Sequence, residues 1–179
     1  MKKITKILSL GILFLFVCTL HLSAQKCKFD YNKKDPITGE ATKGNTFTIS
    51  TGGGGFTAAP PVKMGFNKAG DTYSAGMFIR YYGNMRDIIQ KGDPLVFKLS
   101  NGDVVTLTAL EEYLPTAYAS QVVVSVYQAQ YSIDVPTLQK IAENPPIFLR
   151  INIGNMRYEK EISSNVGKQI SQAAACILQ

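Results

Sequence analysis

From residue 46 onward, apolar and polar residues alternate with a period of two in a series of short stretches. The stretches 46–51, 62–67, 72–82, 95–100, 104–110, 121–133, 147–153 and 156–162 are rich in Val, Ile, Thr, Tyr and Phe. Alternation of this kind sends successive side chains to opposite faces, so it predicts half-buried β-strands. No repeat in the range of about 20–50 residues is visible.

Two hairpins can be read in detail. Asn101-Gly102 marks the turn between 95–100 and 104–110. A two-residue loop would set Leu95, Phe97 and Leu99 on one face with Thr106 and Thr108. A three-residue loop with Gly102 as a left-handed bulge instead pairs Phe97 with Val105 and Leu95 with Leu107. The second register keeps one face apolar, and register follows the buried face. The bulged turn is therefore predicted. Gly154-Asn155 suits a type II′ turn, because glycine comes first. It pairs Ile153 with Met156, Ile151 with Tyr158 and Ile147 with Ile162. Lys160 then lies on the apolar face and must snorkel outward. Arg150 lies opposite Glu159 on the other face, as a surface ladder contact.

Two segments follow a helical period instead. Asp134-Val135-Pro136 starts a short helix with Leu138 and Ile141 facing inward, and Pro145-Pro146 stops it. A second begins around Ser163-Ser164-Asn165 and places Val166, Ile170, Ala173, Ala174 and Ile177 on one stripe. The predicted class is mainly β, α+β at the margin. It is an antiparallel sandwich or curved sheet of about eight strands, with a short helix and a C-terminal helix packed on it. The organisation read from the sequence is a signal peptide over 1–24, an irregular segment over 25–45 and one β-rich domain over 46–179. Turn chemistry at Asp35-Pro36 and Thr38-Gly39 marks the irregular segment.

The leader reading rests on Lys2, Lys3 and Lys6, an apolar run over 7–20, and Leu22-Ser23-Ala24 before Gln25. The run falls short of the ~20 apolar residues that span a bilayer, which favours cleavage over an uncleaved anchor. Phe16 and Val17 are too large for lipid attachment at Cys18, and Cys27 follows Lys26. The expected location is secreted or periplasmic, with no membrane span after cleavage. The formal net charge of +6 includes Lys2, Lys3 and Lys6, so half of it leaves with the leader. The remaining positive residues are dispersed, apart from Lys26, Lys28, Lys33 and Lys34, which read as solvated coil. Nucleic acid is not an expected partner, because it calls for a concentrated basic patch.

The chain has one histidine, His21, and no tryptophan. Loss of the leader removes that imidazole. Ser-His-Asp and Cys-His catalysis, His-ligated zinc and the ordinary neutral-pH switch are then excluded. Of the three cysteines, Cys27 and Cys176 stay in the exported chain. Compartment and parity predict that they form a disulfide closing nearly the whole domain. The chain-entropy model assigns such a loop about 5 kcal/mol as an upper figure.

No catalytic, metal or cofactor residues are predicted. The run 51–56 contains four glycines but lacks the Gly-Lys-Ser/Thr ending of a phosphate loop, and Ala59-Pro60-Pro61 follows, not a helix. It reads as a loop. In 30–35, Lys34 and Asp35 occupy positions where a calcium loop needs a ligand and a glycine. Glu111 and Glu112 are neighbours on a strand and point to opposite faces. A glycosidase pair would need a distant partner such as Asp71, Asp87 or Asp93. Tyr73, Tyr81, Tyr82, Tyr118, Tyr127 and Tyr131 are numerous, and tyrosine is a good contact residue. Tyr81 and Tyr82 are adjacent, so one of them faces outward. They are the candidate contact residues.

Certain features are shared with a known group. These are Ser23-Ala24-Gln25, Cys27, Tyr31-Asn32, Asp35, Thr38-Gly39, Gly92-Asp93-Pro94-Leu95, Asn101-Gly102, Ile147, Arg150-Ile151 and Tyr158-Glu159-Lys160-Glu161-Ile162 before a helix. In them the chain resembles small, uncharacterised exported β-rich proteins of Bacteroidetes-type bacteria. That group lends no activity, so the resemblance implies compartment and architecture only. The function expected is an exported, non-catalytic β-domain binding a protein, glycan or cell-envelope partner. Alternatives are a carboxylate-dependent hydrolase of envelope or dietary polymers, and an inhibitor or immunity-type protein.

Overall fold

The computed structural model describes residues 27–52, 60–119 and 122–179. The expected leader and most of the glycine run lie outside the described residues. Among the described residues, ten strands and two helices follow one another. They are β1 (Tyr31–Lys34), β2 (Ala41–Ser50), β3 (Val62–Ala69), β4 (Thr72–Tyr82), β5 (Pro94–Leu99), β6 (Val104–Ala109), β7 (Thr116–Ala119) and β8 (Val123–Ser132). Helix α1 (Val135–Glu143), β9 (Pro146–Ile153), β10 (Met156–Glu161) and helix α2 (Ser164–Leu178) complete the series.

All ten strands join one antiparallel sheet, in the order β1-β2-β3-β4-β8-β6-β5-β9-β10, with β7 also on β8. Helix α2 packs on the neighbouring strands β2 and β3 and also on β9, which lies far from them in that order. The sheet therefore curves around the helix. One face of every long strand points into this concavity. Phe47 and Ile49 of β2, Val62, Met64 and Phe66 of β3, and Leu149, Ile151 and Ile153 of β9 are all buried there. Leu138, Ile141, Ile170, Ala174 and Ile177 close the core from the helices.

Both hairpins take the predicted registers. Leu95 faces Leu107 and Phe97 faces Val105, with Gly102 at φ 93°. In the second, Ile153 faces Met156 and Ile151 faces Tyr158. Gly154 has φ 55° and no non-glycine residue among those described, Asn155 included, has positive φ, as a II′ turn starting at glycine requires. Arg150 Nε lies 2.7 Å from Glu159 Oε1 across that ladder. The helix starts also agree. Asp134 Oδ1 accepts from Thr137 N at 2.9 Å, and Ser163 caps α2 through Val166 N.

The expectation of irregular chain over 25–45 is corrected. Tyr31–Lys34 is a strand paired with β2, which itself begins at Ala41. All four β1 side chains are exposed, so no apolar alternation announces the strand. Backbone pairing builds it, with Asp35 Oδ1 accepting from Ile37 N and Thr38 N at 2.7 Å in the turn. Strand β7 also adds to the eight expected.

Cys27 and Cys176 are bonded, with Cα atoms 5.4 Å apart and 149 residues of sequence separation. The bridge fastens the approach to β1 onto the last turn of α2.

Candidate functional site

Because the helices fill the concave side, the opposite face of β2, β3, β4, β8 and β7 is the one that points away from the core. On β4 the outward positions are Ser74, Gly76, Phe78, Arg80 and Tyr82, since Ala75, Met77 and Ile79 between them are buried. Register then assembles rows across the sheet. Tyr82 lies beside Val124, which faces Tyr118, and Arg80 lies beside Val126, which faces Thr116. Phe78 lies between Lys63 and Gln128, and Gly76 between Gly65 and Gln130. Ser74 lies between Asn67 and Ser132.

Gly76 lowers the floor of this face, while the absent side chain of the facing, buried Gly65 lets the β2 backbone at Asn45 and Thr46 come close. Glycine inside a strand weakens it and often marks a close approach by another molecule. A Cβ on Gly76 would lie 3.5 Å from both Asn67 Nδ2 and Gln130 Nε2, so these amides flank the floor. Tyr31 Oη donates to Asn67 Oδ1 at 2.8 Å, which fixes the orientation of that amide. Thr46 at the β2 edge donates to Asp30. The result is a shallow trough of about 580 Å³ with Lys63, Phe78, Gln128 and Gln130 along it. Phe78 is half-buried, while Lys63, Arg80, Gln128 and Gln130 are exposed. The outward positions of β3, β4 and β8 carry no carboxylate, and among the described residues neither Lys63 nor Arg80 forms an ion pair.

The predicted contact residues separate. Tyr82 belongs to the outer face and is 37% exposed. Tyr81 turns inward, edge-on to Tyr127 at 6.2 Å between ring centres, and burial pushes its phenol far up. Tyr127 and Tyr131 are core residues, whereas Tyr118 stands out beside the Tyr82 row at 57% exposure. The alternation that hid Tyr81 therefore brought Tyr118 and Tyr82 to one surface.

The candidate acids are spread through turns. Asp87 Oδ1 accepts from Asn155 N at 3.2 Å beside Gly154, and Asp93 Oδ2 accepts from Gln90 N at 2.8 Å. Glu111 and Glu112 follow β6 and are exposed, and Asp71 sits in the β3–β4 turn. Asp30 and Asp35 of the calcium-like run serve Thr46 and the hairpin turn separately. Hydrogen bonds from the turn hold Asp35 below the usual carboxylate range, and those at the α1 cap do the same for Asp134. Among the described residues, no group of three or more His, Cys, Asp or Glu converges on a metal position. Among the same residues, no helix is long and apolar enough to cross a membrane.

Sequence reasoning missed Phe78, Lys63, Arg80, Asn67, Gln128 and Gln130. Each is an outward position in a stretch read correctly as strand. Lys63 and Asn67 meet the outward residues of β4 through the β3–β4 hairpin, whose Gly70-Asp71 turn is a local signal that could have paired them. Gln128 and Gln130 join only through β4 pairing with β8 across the intervening β5–β7 segment, which no local signal encodes. No family model, curated protein or solved structure matches this chain.

Proposed function

We propose that this protein is an exported, non-catalytic binding domain that engages a protein or glycan of the cell envelope through the outer face of its sheet. The observation that carries the reading is the row Lys63–Phe78–Gln128 above the Gly76 floor. A half-buried aromatic ring between exposed polar side chains is a contact surface in chemical terms. Export is supported by the charged-then-apolar N-terminus and by a disulfide, which persists in oxidising compartments. The resemblance to exported Bacteroidetes-type proteins agrees with that location.

A carboxylate hydrolase requires two opposed acids, one of them with a raised pKa. Here the perturbed carboxyls, Asp35 and Asp134, are both shifted downward by structural hydrogen bonds. Asp87 and Asp93 also spend an oxygen on backbone N–H groups. These features support binding over hydrolysis.

The test is capture from envelope extract by the immobilised protein, comparing wild type with Phe78→Ala and Gln128→Ala. Loss of the captured component in either outer-face variant supports the reading. Capture that both variants leave unchanged would place the contact elsewhere.

A further inference from the structure

The neighbourhood of Phe78 is distinguished by its charges. Lys63 lies directly across the ladder from Phe78, and Arg80 is the next outward position on β4. Strand separation and the two-residue step place the Cα atoms of Lys63 and Arg80 roughly 8 Å apart, on one diagonal. Both side chains are exposed, and no carboxylate stands on the outward positions of β3, β4 or β8. By contrast, Arg150 and Arg157 on the far part of the sheet both reach Glu159, at 2.7 and 3.3 Å, and Lys43 and Lys68 lie over the rings of Phe29 and Tyr73. The carboxylate near Lys63 is Asp30, on the β2 side and engaged by Thr46. On the side toward Arg80 the two cations face each other with no ion pair among the described residues, and an anion between them relieves their repulsion.

The other flank of the ring carries a different chemistry. Gln128, Gln130 and Asn67 each combine a planar acceptor with a two-proton donor, a set suited to adjacent hydroxyls. The face of an aromatic ring is electron-rich and attracts the C–H groups of a sugar ring. At Gly76 the missing side chain lets such a ring approach the backbone between the Asn67 and Gln130 amides. From the Tyr82 row to the Ser74 row, where Tyr31 leans over Gly44 toward Asn67, the face runs about 27 Å. That is room for several sugars in line. A protein interface is organised around a broad desolvated apolar centre, and here a single ring, Phe78, stands among amides and cations. A single-stranded nucleic acid needs a run of cations along its backbone, and this face supplies two.

We infer that the trough binds an anionic polysaccharide. One sugar ring stacks on Phe78, its carboxylate or sulfate lies between Lys63 and Arg80, and its hydroxyls meet Gln128, Gln130 and Asn67. The inference rests on the outer face being the binding face, and it names the ligand class for that face.

Isothermal titration of the purified protein tests it, with a galacturonate hexamer, dextran sulfate, neutral dextran and single-stranded oligothymidylate as probes. At least one acidic glycan is expected to bind, more tightly than neutral dextran and more weakly as salt rises. Whichever of the two binds better identifies carboxylate or sulfate as the recognised group. Lys63→Gln, Arg80→Gln and Phe78→Ala should each weaken that binding roughly tenfold. Unchanged melting temperatures in Lys63→Gln and Arg80→Gln would establish that the fold is intact. Lys98→Gln, on the far part of the sheet, should change nothing. Equal binding of neutral and acidic glycans overturns the inference, as does tighter binding of the oligonucleotide. If no glycan binds while Phe78→Ala still abolishes envelope capture, the ligand class is wrong and the binding face stands. If glycan binding ignores all three variants and capture does too, both fail.

Discussion

The hydroxyl of Ser171 in α2 donates to the carbonyl of Ile141 in α1 at 2.7 Å, inside the core. Ile141 lies in the last turn of α1, where a carbonyl has no partner within its own helix. The neighbouring helix supplies that partner. Ser171→Ala leaves the acceptor buried and unmet, and should destabilise the protein by about 1–3 kcal/mol. Denaturant unfolding measures this; a change within about 0.5 kcal/mol, as for an ordinary surface site, would contradict it.

Gly167 shows one effect overruling another. In an isolated helix, glycine to alanine gains about 1 kcal/mol. Here an added Cβ would stand 2.6 Å from Pro146 O and 3.4 Å from Pro145 Cβ. The carbonyl belongs to the start of β9 and cannot yield without shifting the strand. Gly167→Ala should therefore lower stability, by about 1–3 kcal/mol. Gly76→Ala serves as the contrast, since its new Cβ would meet side-chain amides at an ordinary 3.5 Å. Thermal melts of the two variants should move Gly167→Ala well below wild type and leave Gly76→Ala near it.

Removal of the Cys27–Cys176 bridge should cost on the order of 2–5 kcal/mol. Cys27→Ser and Cys176→Ser should show the same loss, and reductant should lower the wild-type melting temperature to theirs. A wild-type melting curve indifferent to reductant would refute this.

Two core tyrosines carry a paired prediction. Tyr127 Oη donates to the Asp87 carbonyl at 2.8 Å, whereas Tyr131 Oη has no hydrogen-bond partner among the described residues. Tyr127→Phe should cost about 1 kcal/mol and Tyr131→Phe less. Burial, aided by Asp87, pushes the Tyr127 phenol up to about 12 from an ordinary 10.0, and burial raises Tyr131 and Tyr81 further. The folded state thus prefers the neutral phenols. For Tyr127 that contribution is complete below pH 10.0 and is lost as pH climbs through about 12, and for Tyr131 and Tyr81 it is lost higher still. Tyrosinate absorbance and circular dichroism should change together over that window. Buried phenols ionising with the exposed ones, well before the fold is lost, would be the contrary result.

Local patterns were legible where a turn and a buried face agreed. Asn101-Gly102 and Gly154-Asn155 set both hairpins, because any other register would have exposed Leu95 and Phe97 or Ile151 and Ile153. Asp134 and Ser163 marked the helix starts through their own side chains. Strand β1 was illegible because Tyr-Asn-Lys-Lys buries nothing and exists through its partner's backbone. The outer face was illegible for a related reason. Phe78 meets Gln128 through a long-range pairing, and outward residues leave no hydrophobic signature from which that pairing can be read.

The sulfur link between the approach to β1 and the end of α2 makes the described domain a covalent ring. A protease that nicks one loop between Cys27 and Cys176 opens the ring without releasing a fragment. The severed ends stay tethered to the same sheet, and the molecule keeps its mass until a second cut or a reductant arrives.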